Sequence, residues 1–448
     1  MGLVFYAAPS RAAAPARKLE WKKAPDRVSA DIDGVPLEEV LALVAEQTGW
    51  QVFVEPKSEH TTNVKFEDRS PSDALKLLLG DISFAVLPQT NGPNRLMVFR
   101  TKLHDATQLV GVKKDPKEDT SKPIPNELVV TLKAGAKIDE LAKKLGALVV
   151  GRIEELNTYR LRFETAEAAE AARKLLAEEA DVVSVDNNYN TQRPSVAEGV
   201  QLSSFPELNL TPSSPTDCSK VIIGLIDTDI PRNGNPLEAF LQPSINVAGG
   251  STIHSPSSPP HGEAMYQTIL SGYRYSNKNA TTAPISILPV NVYGANAQAS
   301  TFDVANGIYR AITAGAKIIN LSLGSEGQSA LLANIIRQGQ SQDVLFIAAA
   351  GNQPTTTPVY PAALPEVIAV TASDRSGGIA SYANRGDFVD VIAPGTSIFS
   401  DGSLRYLSTG TSVSTAYVSG LAAALSDPCK KSFGSVDTQI RQSLAVRR

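Results

Sequence analysis

The sequence predicts an α/β protein: a C-terminal domain built on a mostly parallel sheet with helices on both faces, preceded by two small α+β domains. Three observations carry that prediction. Residues 221–226 are an unbroken apolar run (Val-Ile-Ile-Gly-Leu-Ile) ending in Asp227, and a strand apolar on both faces belongs inside a parallel sheet. Residues 408–420 place a Gly-Thr turn ahead of a helix made almost wholly of Ser, Thr, Ala, Val and Gly, small enough to run buried through a domain centre. Finally, 57 charged residues fall in the first 204 positions and only 31 in the remaining 244, which marks a domain boundary near 190–215.

From the N-terminus, residues 1–25 combine a short apolar stretch with Ala-rich positions and no basic start. They are expected to be disordered or the remnant of a signal peptide. Residues 26–104 form the first small domain. A strand at 28–32 leads to a helix at 36–47 with Leu37, Val40, Leu41 and Val44 on one face. Strands follow at 50–54 and 64–66, then a helix capped by Ser70 with Pro71 in its first turn. A hairpin of 82–87 and 96–99 closes the domain across Asn91-Gly92. Residues 105–125 read as a linker.

Residues 126–190 repeat a strand–helix–strand pattern: strands at 127–132, 148–153, 159–163 and 182–185, helices at 138–145 and 166–180. The polar run 187–194 and the Ser/Pro-rich stretch near 206–215 read as a second linker, 191–216. The last domain is 217–448.

Within it, three side chains carry chemistry. Asp227 lies at the carboxyl end of its strand, where open α/β sheets place their sites. His261 opens a helix after a Ser/Pro-rich loop; of the four histidines, the other one in this half, His254, has no helix behind it. Ser412 sits in the first turn of the small-residue helix, where unpaired N–H groups surround its oxygen. Taken singly, each has a plainer reading as a loop aspartate, a surface histidine or a helix cap. Their order changes that.

Asp, His and Ser in this order and these contexts resemble the subtilisin-like serine peptidase family over roughly residues 205–448. Further blocks agree: 318–324 (Ile-Ile-Asn-Leu-Ser-Leu-Gly), 348–352 (Ala-Ala-Ala-Gly-Asn), 360–370 and 390–395. The resemblance implies that Ser412 is the nucleophile, His261 its general base and acid, and Asp227 the group that orients the imidazole. It gives Asn352 and the Ser412 N–H the oxyanion, and Ser322, Leu323 and Gly324 the main-chain pairing with an extended peptide. Asn352 and 322–324 equally read as turn and strand-end residues. Small side chains at 348–350 leave room for an apolar side-chain pocket. The family requires no cofactor for the reaction; a structural calcium is common in it, and no ligands for one are assignable here, so no metal residues are predicted.

Two departures stand out. Asp229 replaces the family's usual glycine after Asp-Thr. Glu263-Ala264-Met265-Tyr266-Gln267 follows His261-Gly262 where Thr-His-Val-Ala-Gly is usual, so helix packing must differ. Neither removes one of the three residues. The competing reading is a catalytically degenerate peptide-binding scaffold of the cell envelope.

The βαββαβ order of 126–190 resembles the propeptide inhibitor that precedes subtilisin-like domains, which implies a self-processing zymogen whose tail lies along Ser322–Gly324 like a product. Residues 26–104 resemble the short N-terminal domain of secretins and TonB-dependent receptors, which implies docking to an envelope protein. The predicted partners are therefore a protein or peptide substrate and an envelope protein, in an exported setting (periplasm, cell envelope or medium). A net charge of −4 without a basic stripe argues against nucleic acid, and no apolar run is long enough to span a bilayer. Two cysteines exclude a thiolate cluster. Cys218 precedes the Asp227 strand and Cys429 follows the helix running back from Ser412, so both are expected at the sheet's amino end, disulfide-bonded.

Overall fold

The computed structural model describes residues 17–23, 26–55, 58, 60–87, 94–101, 108–110, 119–194, 198–200, 208–213, 220–249, 259–401, 404–427, 429 and 432–446. It divides into two compact units, 1–117 and 118–448.

In the first unit, Arg17–Lys23, Asp26–Pro36 and Thr61–Arg69 make an antiparallel three-stranded sheet. A four-stranded sheet runs in the order Ser83–Leu87, Arg95–Phe99, Gln51–Val54, Gln108–Val110. Helices Leu37–Thr48 and Pro71–Leu79 bury Val40, Leu41, Val44, Leu75 and Leu78 in one core. Ser70 caps the second helix by accepting from the Asp73 N–H. Two expectations are corrected. Residues 17–23, expected to be disordered, form a strand because Leu19 and Trp21 alternate with charged residues and enter the core. Residues 108–110, placed in a linker, pair antiparallel with Gln51–Val54.

The second unit holds the predicted βαββαβ module. Its sheet contains Pro123–Leu132, Leu148–Ile153, Thr158–Arg162 and Val182–Gln192, with helices Ile138–Leu145 and Ala166–Leu176. The last strand runs seven residues beyond the expected 185. The polar run read as linker is strand because Pro123–Leu132 and then Gln298–Ser300 supply its hydrogen-bond partners. Residues 198–200, also placed in a linker, pair with 405–407 of the strand Leu404–Thr409.

The larger sheet has seven parallel strands in the order Ile245–Asn246, Ile285–Asn291, Val221–Asp227, Ile318–Leu321, Leu345–Ala349, Val367–Ser373, Val391–Pro394. Alternate side chains feed two cores. Ile318, Leu345 and Ile347 face helices His261–Ser276, Thr411–Leu425 and Phe433–Ser443. Ile319, Phe346 and Ala348 face helices Thr301–Thr313 and Ala330–Ser341. The predicted α/β architecture with both faces covered is what forms. The His261 and Ser412 helices approach so closely that a Cβ on Gly420 would lie 1.9 Å from the Ile269 carbonyl oxygen.

Candidate active site

Asp227 ends the third strand of the seven, Val221–Asp227, and is fully buried. Both its carboxylate oxygens lie 2.9 Å from His261 Nδ1. The carboxylate is fixed from behind by the Thr228 N–H, which donates to Oδ1 at 2.7 Å. Thr228 Oγ1 in turn accepts from the Gly262 N–H at 2.8 Å, tying the start of the His261 helix to the strand end. An imidazole held this way by Nδ1 leaves Nε2 as its working nitrogen. His254 lies outside the described residues, so its exclusion rests on the sequence.

Ser412 is the second residue of its helix, after Gly410 and Thr411. Gly410 has φ 151°, and a Cβ there would lie 3.0 Å from Asn352 Nδ2. The glycine thus lets the turn pass tightly by Asn352. Thr411 then sets the amide's orientation: its N–H and its Oγ1 both donate to Asn352 Oδ1, at 2.9 and 3.0 Å. With the oxygen so occupied, Nδ2 is left as a directed donor. Thr411 was missed by the sequence reading; its position beside Ser412 gave no hint of its partner, 59 residues away.

Ser412 Oγ donates to the Ser322 carbonyl at 3.3 Å, and Ser322 Oγ donates back to the Ser412 carbonyl at 3.1 Å. Beneath them, buried Asn320 donates to Ser322 Oγ at 2.9 Å and accepts from Ser419 at 3.0 Å. This network fastens the Ser412 helix to the segment 322–324, whose Ser322 and Leu323 are buried. Among the described residues, the Ser412 hydroxyl has no bond to His261 in this conformation. Such bonds often tighten only when substrate arrives.

The departures from the family pattern pack as follows. Met265 and Tyr266 are both fully buried in the core under the sheet. Glu263 is buried too, accepts from Gln267 at 2.9 Å through Oε1, and has no partner for Oε2 among the described residues. Burial, with Asp401 and Glu238 nearby, pushes its carboxyl up to about 8. Asp229 is half-buried. Among the described residues, no three His, Cys, Asp or Glu side chains gather as a metal would need. Cys429 is disulfide-bonded; its expected partner Cys218 lies outside the described residues.

The βαββαβ module docks on the strand Gln298–Ser300 and the start of the Thr301 helix. Its last strand pairs antiparallel with Gln298–Ser300, Asn190 opposite Ser300 and Thr191 opposite Ala299. The described part of its tail therefore lies on that strand; the expected course along Ser322–Gly324 involves residues beyond 194, of which 195–197 lie outside the described residues. Asn188 Oδ1 accepts from Thr301 Oγ1 and from the Phe302 N–H, both at 3.0 Å, and Arg160 reaches Asp303 at 2.9 Å.

Comparison with known proteins agrees with this architecture. The subtilase family profile matches residues 219–444 and a fervidolysin N-terminal prodomain profile matches 112–188. Thermitase from Thermoactinomyces vulgaris is 34% identical over 211 residues, which cover 45% of this chain and 74% of thermitase. Subtilisin BL from Lederbergia lenta is 31% identical over 234 residues, 50% of this chain and 82% of that protein. A thermophilic serine proteinase from Bacillus sp. (strain AK1) is 37% identical over 160 residues, 35% of this chain; only 39% of that protein's length is spanned. Among solved structures, fervidolysin from Fervidobacterium pennivorans, a keratinolytic enzyme related to subtilisin, matches with TM-score 0.51 at 19% identity, covering 68% of this chain and 55% of that one. The architecture is that of a subtilisin-like serine protease with a prodomain. The chain belongs to the subtilase family. Neither profile reaches residues 26–104, whose secretin/TonB resemblance rests on sequence pattern alone.

Proposed function

We propose that the chain is a serine endopeptidase working through Asp227, His261 and Ser412, with Asn352 and the Ser412 N–H as oxyanion donors. One observation carries the proposal most: the Thr411 clamp on Asn352 Oδ1, which leaves Nδ2 as a donor against Gly410 at the start of the Ser412 helix, in a domain that also holds a histidine gripped at 2.9 Å by a buried aspartate. On this reading the Ser412 hydroxyl rotates from the Ser322 carbonyl to His261 Nε2. Its oxygen attacks the scissile carbonyl carbon as its proton passes to Nε2. The carbonyl oxygen becomes an alkoxide between Asn352 Nδ2 and the Ser412 N–H. The imidazolium, stabilised by Asp227, then protonates the departing amine, and water repeats the sequence on the acyl-enzyme. Every group this chemistry needs is a side chain or backbone amide, so the proposed reaction calls for no cofactor; a structural calcium would act only on stability.

The substrate would be protein or peptide, its backbone running between Gln298–Ser300 and Ser322–Gly324. We further propose that the chain is a zymogen whose prodomain is cut away between the module and residue 217. The disulfide of Cys429 supports export to an oxidising compartment. No helix among the described residues is long and apolar enough to cross a membrane. The first unit would dock an envelope partner.

Intact mass of the purified chain beside Ser412→Ala tests the core of this. Wild type splitting near residues 187–216 while the alanine variant stays whole is expected. Both chains whole, with no labelling of Ser412 by a serine-directed covalent probe, would overturn it in favour of a degenerate peptide-binding scaffold.

A further inference from the structure

The prodomain tail does more than cover the strand Gln298–Ser300; one of its side chains occupies a built pocket. The Arg193 N–H donates to the Ala297 carbonyl at 2.9 Å, continuing the strand pairing by one residue. The Arg193 side chain then folds onto the turn that precedes the strand. Its Nη1 donates to the carbonyl oxygens of Gly294 and Asn296, both at 3.1 Å. Its guanidinium carbon stands 5.9 Å from the centre of the Tyr293 ring. The Tyr293 hydroxyl donates to the Gln192 carbonyl at 3.1 Å, so the same residue that offers its face also grips the backbone one position upstream.

The pocket is held in shape by the peptidase domain, not by the tail. Asn291, buried at the end of a sheet strand, accepts from the N–H groups of Tyr293 and Gly294 through one oxygen, at 3.1 and 2.9 Å. The Asn296 N–H closes the turn on the Tyr293 carbonyl at 2.9 Å. Two carbonyl acceptors converging beside an aromatic face suit a flat cation: carbonyls accept only, and the ring's negative face attracts positive charge. A guanidinium satisfies both demands in one plane, whereas an ammonium is a compact, strongly hydrated point charge.

Resting on the peptidase reading above, we propose that the turn 293–296 is a subsite for an arginine side chain of the substrate, occupied here by the protein's own Arg193. The substrates are then peptides with arginine two residues beyond the one that faces Ala299. The prodomain holds its place partly by presenting the same side chain.

The test uses the full chain with Arg193→Ala and Arg193→Lys, and follows the rate at which a fluorophosphonate labels Ser412. Loosening the tail should speed labelling roughly tenfold in Arg193→Ala, with Arg193→Lys between it and wild type. On the same preparations, internally quenched peptides containing Asn-Thr-Gln-X, with X arginine, lysine or norleucine, should rank in that order by kcat/KM. Tyr293→Leu should flatten the ranking while Ser412 still labels. Equal labelling of all three chains together with no preference at X would overturn the subsite and leave the peptidase standing. Absence of labelling in every chain would overturn the peptidase reading itself, and the subsite with it.

Discussion

Three helices of the peptidase domain, starting at His261, Thr301 and Thr411, treat their N-termini in three different ways. The Thr301 helix is doubly closed. Ser300 and Asp303 form a capping box, and the prodomain's Asn188 accepts from the first-turn Phe302 N–H. The Ser412 helix begins at Gly410, which has no side chain to cap it; Asn352 Oδ1 takes the Thr411 N–H, and among the described residues nothing accepts from the Ser412 N–H. The His261 helix begins after Pro260, which has neither a hydroxyl nor an N–H to offer. Its third residue, Glu263, occupies the position that Asp303 holds in the Thr301 helix, without a box to join. A helix start that is filled is scaffolding; one left open is free to meet charge that develops during a reaction.

The largest effect should come from the open terminus. On the proposed mechanism, Asn352→Ala removes one of two oxyanion donors and should lower kcat about 10²–10³-fold with KM little changed. The control is Ser300→Ala at the closed terminus, whose loss should show in stability and not in kcat. Steady-state kinetics on a small amide substrate reads both. A fall in KM-controlled binding with kcat intact would mean that Asn352 merely shapes a turn, the plainer reading its Gly-Asn context allows.

The third terminus gives the next effect, a loss of stability as pH rises. The Glu263 carboxyl stands near 8 in the folded chain, against an ordinary value of 4.5, because burial disfavours its charge. The folded state therefore holds its proton more tightly than the unfolded state. Stability falls as pH climbs from about 4.5 to about 8 and levels off above, where both states are ionised. Glu263→Gln keeps the Gln267 bond through its amide oxygen and has nothing to ionise. Its stability relative to wild type should grow by roughly 3 kcal/mol between about pH 6 and pH 9. Denaturant unfolding of both chains at the two pH values measures this. A constant difference would show that Oε2 finds a partner in solution.

How much of this was legible in the sequence depends on where each feature's partners lie. The strand Val221–Asp227 and the Ser412 helix were legible because continuous apolarity and small-residue runs state burial directly. The helices Ile138–Leu145 and Ala166–Leu176 were legible from their periodicity, the second with its end four residues early. The strand Arg17–Lys23 was not, since its alternation is short and stands beside an Ala/Pro-rich start that suggests a leader. Polar residues 186–192 gave no strand signal at all; two partner strands, one more than 100 residues downstream, make them one. Asn352 could be named from its context, but what aims it, Thr411, is visible only once the chain has folded. Propensity and pattern are local; the strand at 186–192 and the Thr411–Asn352 clamp are long-range pairings, whereas Arg17–Lys23 pairs with the adjacent strand and was hidden by its Ala/Pro-rich flank.

The closed terminus supplies the smallest prediction and the one that best separates docking from chemistry. Asn188 is fully buried between the two domains. Its oxygen caps the Thr301 helix while its amide donates to Glu127 Oε2 at 2.8 Å. Glu127 is itself buried and bonded to Arg162 at 2.9 Å. Asn188→Ala would strip one acceptor from the helix start and one donor from the carboxylate, costing about 1–2 kcal/mol. Asn188→Asp would restore the cap with a charge the helix end favours, yet set that charge against Glu127. If the cap dominates, the aspartate variant should unfold at higher denaturant than the alanine variant; if the carboxylate contact dominates, at lower. Because Glu127 is buried and loses the Asn188 amide donor in both variants, the second order is expected. The Ser412 labelling rate should rise in both, since prodomain docking is weakened and the open helix terminus is untouched.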